Sequence, residues 1–288
     1  MTVPHVPEEE PLGSELPAAR RRRGSVPAVF GTGAAVGVLG GMIGLGGAEF
    51  RLPLLIGLFG FAALHAVIVN KAMSLAVVLT ALPARLVAVP YAALAPHWPV
   101  AVNLLGGSLA GAWAGASWAT RMRARTLYAV LAALLVLMAA ALVATHLGGA
   151  PAAPVPSGPL LVVAGLVAGF GIGVVAAIMG VAGGELLIPT IVLLYGVDIK
   201  LAGSLSLAVS LPTMLVAFAR YSRDRAFVVL RGHGRFVLTM TAGSVAGSLG
   251  GALLLGVVPD LVLVPALAAI LLVSAVKVWR HEAAPRPR

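Results

Sequence analysis

Long apolar stretches, interrupted only briefly by charge or proline, run through most of this chain. Windows of about 20 predominantly apolar residues cross a ~30 Å hydrocarbon core as helices. They fall at roughly 27–46, 52–69, 71–92, 99–120, 126–147, 159–180, 185–199, 201–220, 236–256 and 259–279. Such runs are too long and unbroken for barrel strands of about ten alternating residues, and backbone in lipid must bond to itself, so the pattern predicts helices. The expected fold class is an all-α polytopic transmembrane bundle of 8 to 10 membrane elements, with 10 preferred and some of them short or broken. Whether 52–69 and 185–199 cross fully or re-enter stays open at this stage.

The pattern also repeats. Without a gap, at an offset of 136 residues, Gly33, Gly37, Gly44, Gly47, Glu49, Pro53, Gly60 and Ser74 fall on Gly169, Gly173, Gly180, Gly183, Glu185, Pro189, Gly196 and Ser210. The register continues through His97, Gly107, Ser108, Gly111 and Gly115, which fall on His233, Gly243, Ser244, Gly247 and Gly251. Self-similarity at a fixed period is the signature of a duplicated unit. The expected organisation is a disordered cytoplasmic tail at 1–24, a first transmembrane repeat at 25–147 and an external Pro/Gly-rich linker at 148–158. A second repeat follows at 159–281, with a cytoplasmic tail at 282–288.

Charge sets the orientation. The chain carries a net charge of +10, which in a soluble protein would point to nucleic acid. Here Arg20 to Arg23, Arg121 to Arg125, Arg220 to Arg235 and the tail after Lys277 all sit at the ends of apolar runs, so the basic residues read as topology signals. The expected partner is the lipid bilayer, with no nucleic acid; the oligomeric state stays open. Five crossings per half put every basic cluster on the cytoplasmic side, whereas four per half always leave one outside. An odd number inverts the second copy relative to the first, an arrangement used by many secondary transporters. Both ends are therefore expected in the cytoplasm of a multi-pass cell (inner) membrane protein. With no cysteine in the chain, disulfides, thiolate metal sites and Cys nucleophiles are excluded. No cofactor and no metal are expected.

The segments that align best are "GLGGAEFRLP" at 44–53 and "GVAGGELLIP" at 180–189. Glycine lets backbone unwind or approach a neighbour, and proline is favoured in the first turn of a helix, so each motif reads as a break followed by a restart. A helix start presents free N–H groups and partial positive charge, which suits an anion. On these two motifs and the polar segments after them, "NKAMSLAVV" at 70–78 and "LAGSLSLAV" at 201–209, residues 27–280 resemble the TauE/SafE family of membrane transporters. That resemblance implies export of a small anion, commonly sulfite or an organosulfonate, with the motif glycines and Pro53 and Pro189 as functional positions. Ala182 stands where the family motif often has Gly.

The candidate substrate-binding residues are Gly44, Gly46, Gly47, Ala48, Pro53, Asn70, Lys71 and Ser74, with Gly180, Gly183, Gly184, Pro189, Ser206 and Ser210 in the second copy. Glu49 and Glu185 are the candidate proton carriers, because an ionisable residue inside a membrane is a functional hypothesis by default. Their competing role is a helix-start carboxylate, or for Glu49 a pair with Arg51. Arg85 is a candidate oxyanion ligand and His65 a weaker proton relay. Trp98 and Trp279 read as interface markers. The small-residue runs "GGSLAGAWAG" and "AGSVAGSLGG" read as helix packing surfaces. The expected function is a secondary membrane transporter, an exporter or permease and not an enzyme, working by alternating access between inverted repeats, either proton-coupled or as a uniporter. The alternatives are an intramembrane enzyme such as a protease, and a carrier of small carboxylates.

Overall fold

A computed structural model describes residues 25–43, 47–88, 94–147, 158–253 and 260–283. The tail 1–24, most of the linker and the motif residues Gly44 and Gly46 lie outside the described residues. Ten helices of ten residues or more account for most of the rest. They are α1 Val26–Ile43, α2 Ala48–Gly57, α3 Ala63–Ala88, α4 Trp98–Arg121, α5 Ala124–Leu147, α6 Pro159–Met179, α7 Gly184–Tyr195, α8 Ile199–Tyr221, α9 Gly234–Leu253 and α10 Asp260–Ala283. Single turns at Ala95–His97, Arg225–Val228 and Val229–Gly232 lead into α4 and α9. The all-α expectation holds: no strand occurs among the described residues.

Among the described residues four helices are long and apolar enough, by length and composition, to cross a membrane, over Ala63–Thr80, Ala124–Val143, Pro159–Met179 and Leu201–Tyr221. Large apolar side chains such as Val167, Leu238 and Val273 stand exposed on the outside of the bundle. Polar and charged side chains, Arg51 and Lys71 among them, are buried inside it. That distribution is the reverse of a water-soluble protein and fits a lipid surround.

Two expected elements are corrected. The stretch 52–69 is not one helix: α2 ends at Gly57, the chain turns through Gly60 at φ 71°, and α3 already begins at Ala63 rather than near 71. Hydropathy stays high across Leu58 to Phe61, so periodicity alone is blind to the turn. In the second copy Gly196, at φ 67°, caps α7 after Tyr195, short of the expected 199. At 1.5 Å per residue the 10 residues of α2 and 12 of α7 span about 15–18 Å, roughly half a bilayer. The motif prolines are corrected as well. Pro53 and Pro189 are each the sixth residue of their helix, not part of its first turn. The glycine break is where the motif puts it, with Gly47 and Gly183 left-handed at φ 70° and 86° immediately before α2 and α7.

The halves interlock through reciprocal contacts. Helix α1 lies along α9, and its counterpart α6 lies along α4; α5 packs on α10, and α3 on α8. The offset of 136 survives at atomic detail. A Cβ added at Gly33 would strike the Met240 carbonyl, and one at Gly169 the Leu104 carbonyl. Gly37 is held in the same way against Ser244, and Gly173 against Ser108. Gly107 meets Leu166 and Gly243 meets Phe30, again a matched pair. In both places backbone lies directly on backbone, which only glycine permits, so the small-residue runs act as packing surfaces.

This predicts a sharp contrast between neighbouring glycines. Gly173→Ala should destabilise the bundle by about 1–3 kcal/mol, because backbone on the facing helix must move. Gly171→Ala, with open space around it, should stay within ~0.5 kcal/mol of the parent protein. Thermal unfolding in detergent compares the two, and equal midpoints would count against the packing.

Candidate functional site

Helix α6 stops inside the bundle, and its last carbonyls need donors. Gly180, at φ 72°, caps it. From α3, Lys71 Nζ donates to the carbonyls of Ala176 at 2.8 Å and Val181 at 2.6 Å. Asn70 Nδ2 donates to Met179 O at 3.1 Å and to Ala48 O at 3.0 Å, so one amide bridges the two motifs. Ser74 Oγ donates to Gly180 O at 3.2 Å. These three residues recur at i, i+1 and i+4 and so present a common polar edge of α3. A cation at a helix C-terminus is also favoured by the helix dipole. A Cβ at Gly180 would strike the Val67 carbonyl, so the break and α3 touch backbone to backbone.

On the other side of Asn70 stands Arg51, fully buried in α2. Its Nε donates to Asn70 Oδ1 at 2.8 Å, one terminal nitrogen to Ser74 Oγ at 2.8 Å and the other to Ser244 Oγ at 3.1 Å. Among the described residues all three partners are neutral, and the planar fork of the guanidinium holds α2, α3 and α9 together. Glu49 and Arg51 interact through their charges, while the hydrogen bonds of Arg51 go to the amide and hydroxyls. Three of its five N–H groups are engaged this way.

Glu49 and Glu185 are the second residues of α2 and α7. Their carboxyl groups interact with each other, Glu49 also with Arg51 and Glu185 with Lys71. Glu49 is buried. Glu185 is half-buried as a residue, but both its carboxyl oxygens are sealed from solvent. Glu49 Oε2 and both oxygens of Glu185 have no hydrogen-bond partner among the described residues. Helix starts thus face a carboxyl pair, with two buried cations beside it.

Several candidates fall elsewhere. Ser206 Oγ donates to Gly203 O of its own helix at 2.8 Å, and Ser210 Oγ is buried without a partner among the described residues. Gly184 is the first residue of α7, and Pro53 is buried. Because a proline has no N–H, Pro53 and Pro189 leave the carbonyls of Glu49 and Glu185 without their i+4 donors. His65 lies away from the centre, in the electrostatic neighbourhood of His233 and Asp224. The side chain of Arg85 lies outside the described residues. Arg51 and Ser244 are the residues that sequence reasoning undervalued. The one available signal was that Ser244 keeps register with Ser108 while Arg51 faces Leu187.

A helical bundle with an apolar exterior, broken helices meeting inside it and one buried charged cluster at their junction belongs to the class of membrane transporters. The family model for the sulfite exporter TauE/SafE matches residues 7–142 and 165–288. The chain belongs to the TauE/SafE family, and is therefore a multi-pass membrane transporter of small molecules, not an enzyme. No curated protein and no solved structure matches it. The intramembrane-enzyme alternative falls with the family assignment.

Substituting Arg51 tests how much the junction depends on it. Arg51→Leu, which installs the residue found at the equivalent position 187, leaves three buried acceptors without a donor. At ~1–3 kcal/mol for each orphaned group, the thermal midpoint in detergent should fall strongly. Arg51→Lys, which keeps the charge but not the fork, should fall in between. A midpoint unchanged in Arg51→Leu would show that the fork does not hold the helices together.

Proposed function

We propose that this protein exports a small sulfur oxyanion, sulfite or an organosulfonate, across the cell (inner) membrane, binding it at the junction of the two motifs. The observation that carries the reading is the pair of cations Arg51 and Lys71, both fully buried, with neutral groups as their hydrogen-bond partners. Each retains N–H capacity beyond those bonds. Burying an ammonium and a guanidinium away from water costs several kcal/mol each, and a visiting anion offsets that cost while it is bound. The starts of α2 and α7, preceded by Gly47 and Gly183, add backbone donors on the same side.

In this reading residues 25–147 and 159–281 are two inverted repeats joined by an external linker at 148–158. They rock about the junction to expose it first to one side and then to the other. Both ends of the chain lie in the cytoplasm. The reciprocal packing of α1 on α9 and α6 on α4 supports the reading, since a pseudo-symmetric frame has two related ways to tilt. Ala48, Ser206 and Ser210 line the anion's path, and Glu49 and Glu185 carry protons. A carrier of small carboxylates is the second reading, because a carboxylate meets the same cations.

The test is a thermal-shift screen of purified protein against sulfite, sulfate, thiosulfate, methanesulfonate and acetate. A ligand at about 100 times its Kd adds ~2.7 kcal/mol to stability, so a midpoint raised by several degrees with sulfite or methanesulfonate is expected. A shift confined to acetate would favour the carboxylate reading, and no shift with any anion would count against both. Lys71→Leu, which introduces the residue of position 207, should lower affinity for the responding anion at least tenfold in the same assay.

A further inference from the structure

The carboxyl pair sits where the anion's own charge would go. Glu49 and Glu185 occupy the first turns of α2 and α7, the positions at which a helix start favours negative charge. They interact with Arg51 and Lys71, the same two cations that the proposed anion site uses. Three of their four oxygens are sealed from solvent, and the two carboxyls act on each other as well as on their own backbone N–H groups, so a proton placed on one bears directly on the other.

Counting charge gives the consequence. With both carboxyls ionised, two negative charges balance Arg51 and Lys71, and an entering anion would leave the buried cluster net negative, at a cost of several kcal/mol for the uncompensated ion. With one carboxyl protonated for each negative charge that enters, the sum stays at zero. Among the described residues these two cations are the basic groups that act on the pair. On α3 it is Lys71 that reaches it and on α2 Arg51. The described stretches of α1 and α6 carry no charged residue, and the described basic residues of α5, α8 and α10, namely Arg125, Arg220, Lys277 and Arg280, lie toward helix ends. His65 interacts with His233 and Asp224 instead.

We infer that Glu49 and Glu185 form one proton site that fills and empties together with the anion site, so that anion and protons move in the same direction and the transport cycle is electroneutral. This rests on the anion-transport reading above and adds the sign and the balance of its coupling: with an alkaline cytoplasm the pH gradient opposes export, so net export is driven by the anion's own outward gradient. The proton enters from bulk water onto a carboxyl oxygen as the anion docks on Arg51 and Lys71. It leaves to bulk water on the opposite side when the anion does, and no bond other than O–H is made or broken. The two carboxyls come from different repeats, so their separation changes as the repeats rock, which links proton release to the change of access.

The test uses proteoliposomes of the full chain and the flux of sulfite and of methanesulfonate, with a pH gradient and a potassium–valinomycin potential imposed separately. The anion should accumulate on the alkaline side, about tenfold per pH unit for a singly charged anion moving with one proton, while a potential of either sign leaves the initial rate within about a factor of two. Glu49→Gln with Glu185→Gln cannot ionise, so that variant should lose pH-driven accumulation and become sensitive to potential while still binding anion in the thermal-shift assay. Wild-type flux that follows the potential and ignores the pH gradient overturns the inference while leaving anion transport standing, and it does so whether or not the variants fold. Absence of flux for both anions at every pH and potential overturns the transport reading and this inference with it.

Discussion

Carbonyl groups exposed where a helix stops inside a dry bundle have to be bonded by protein, because water is not there to do it. At the end of α6 that demand is met by three polar residues of α3, Lys71 on Ala176 and Val181, Asn70 on Met179 and Ser74 on Gly180, and by Tyr221 of α8 on Ala177. The rest of the junction follows from this constraint. Asn70, once fixed on Met179, presents its oxygen to Arg51, and Arg51 in turn ties in Ser74 and Ser244. A charged cluster that would be prohibitively costly in lipid is held in place by the backbone it serves.

The frame around this cluster is nearly symmetric and the cluster is not. Glycine contacts between α1 and α9 recur at an offset of 136 between α6 and α4. Yet Arg51 answers to Leu187, Lys71 to Leu207, Asn70 to Ser206 and Ser74 to Ser210. The second copy therefore has neither the cations nor the amide that satisfy α6, and its Ser206 bonds within its own helix. Among the described residues one charged centre lies where the two halves meet. Glu49 and Glu185 are the charged exception, kept in both copies and brought together at the junction.

Toward the ends of α4 and α8 a separate set of contacts is at work. Arg220 Nε donates to Ser117 Oγ at 2.8 Å, and Arg220 and Arg223 lie over the Trp113 ring at 5.8 and 5.2 Å. Cation–π contacts of this kind contribute ~0.5–1 kcal/mol at exposed sites. They join the end of one half's fourth helix to the end of the other half's third, so basic residues that read as topology signals also stitch the repeats together.

The linear pattern was enough to determine the helical class, the apolar exterior, the duplication and the positions of both glycine breaks, because each depends on local composition or on a register that survives in sequence. Glu49, Asn70, Lys71 and Ser74 were legible as candidates for the same reason: polar residues in an oily run are conspicuous one at a time. The half-length of α2 was not legible, since the turn at Gly60 keeps the hydropathy of its flanks. Nor was the role of Arg51, which looked like the partner of the Glu two residues before it. Tertiary structure adds to that role, because the acceptors of its hydrogen bonds lie 19, 23 and 193 residues away. Only the packing of α2 against α3 and α9 brings those acceptors within reach of one side chain.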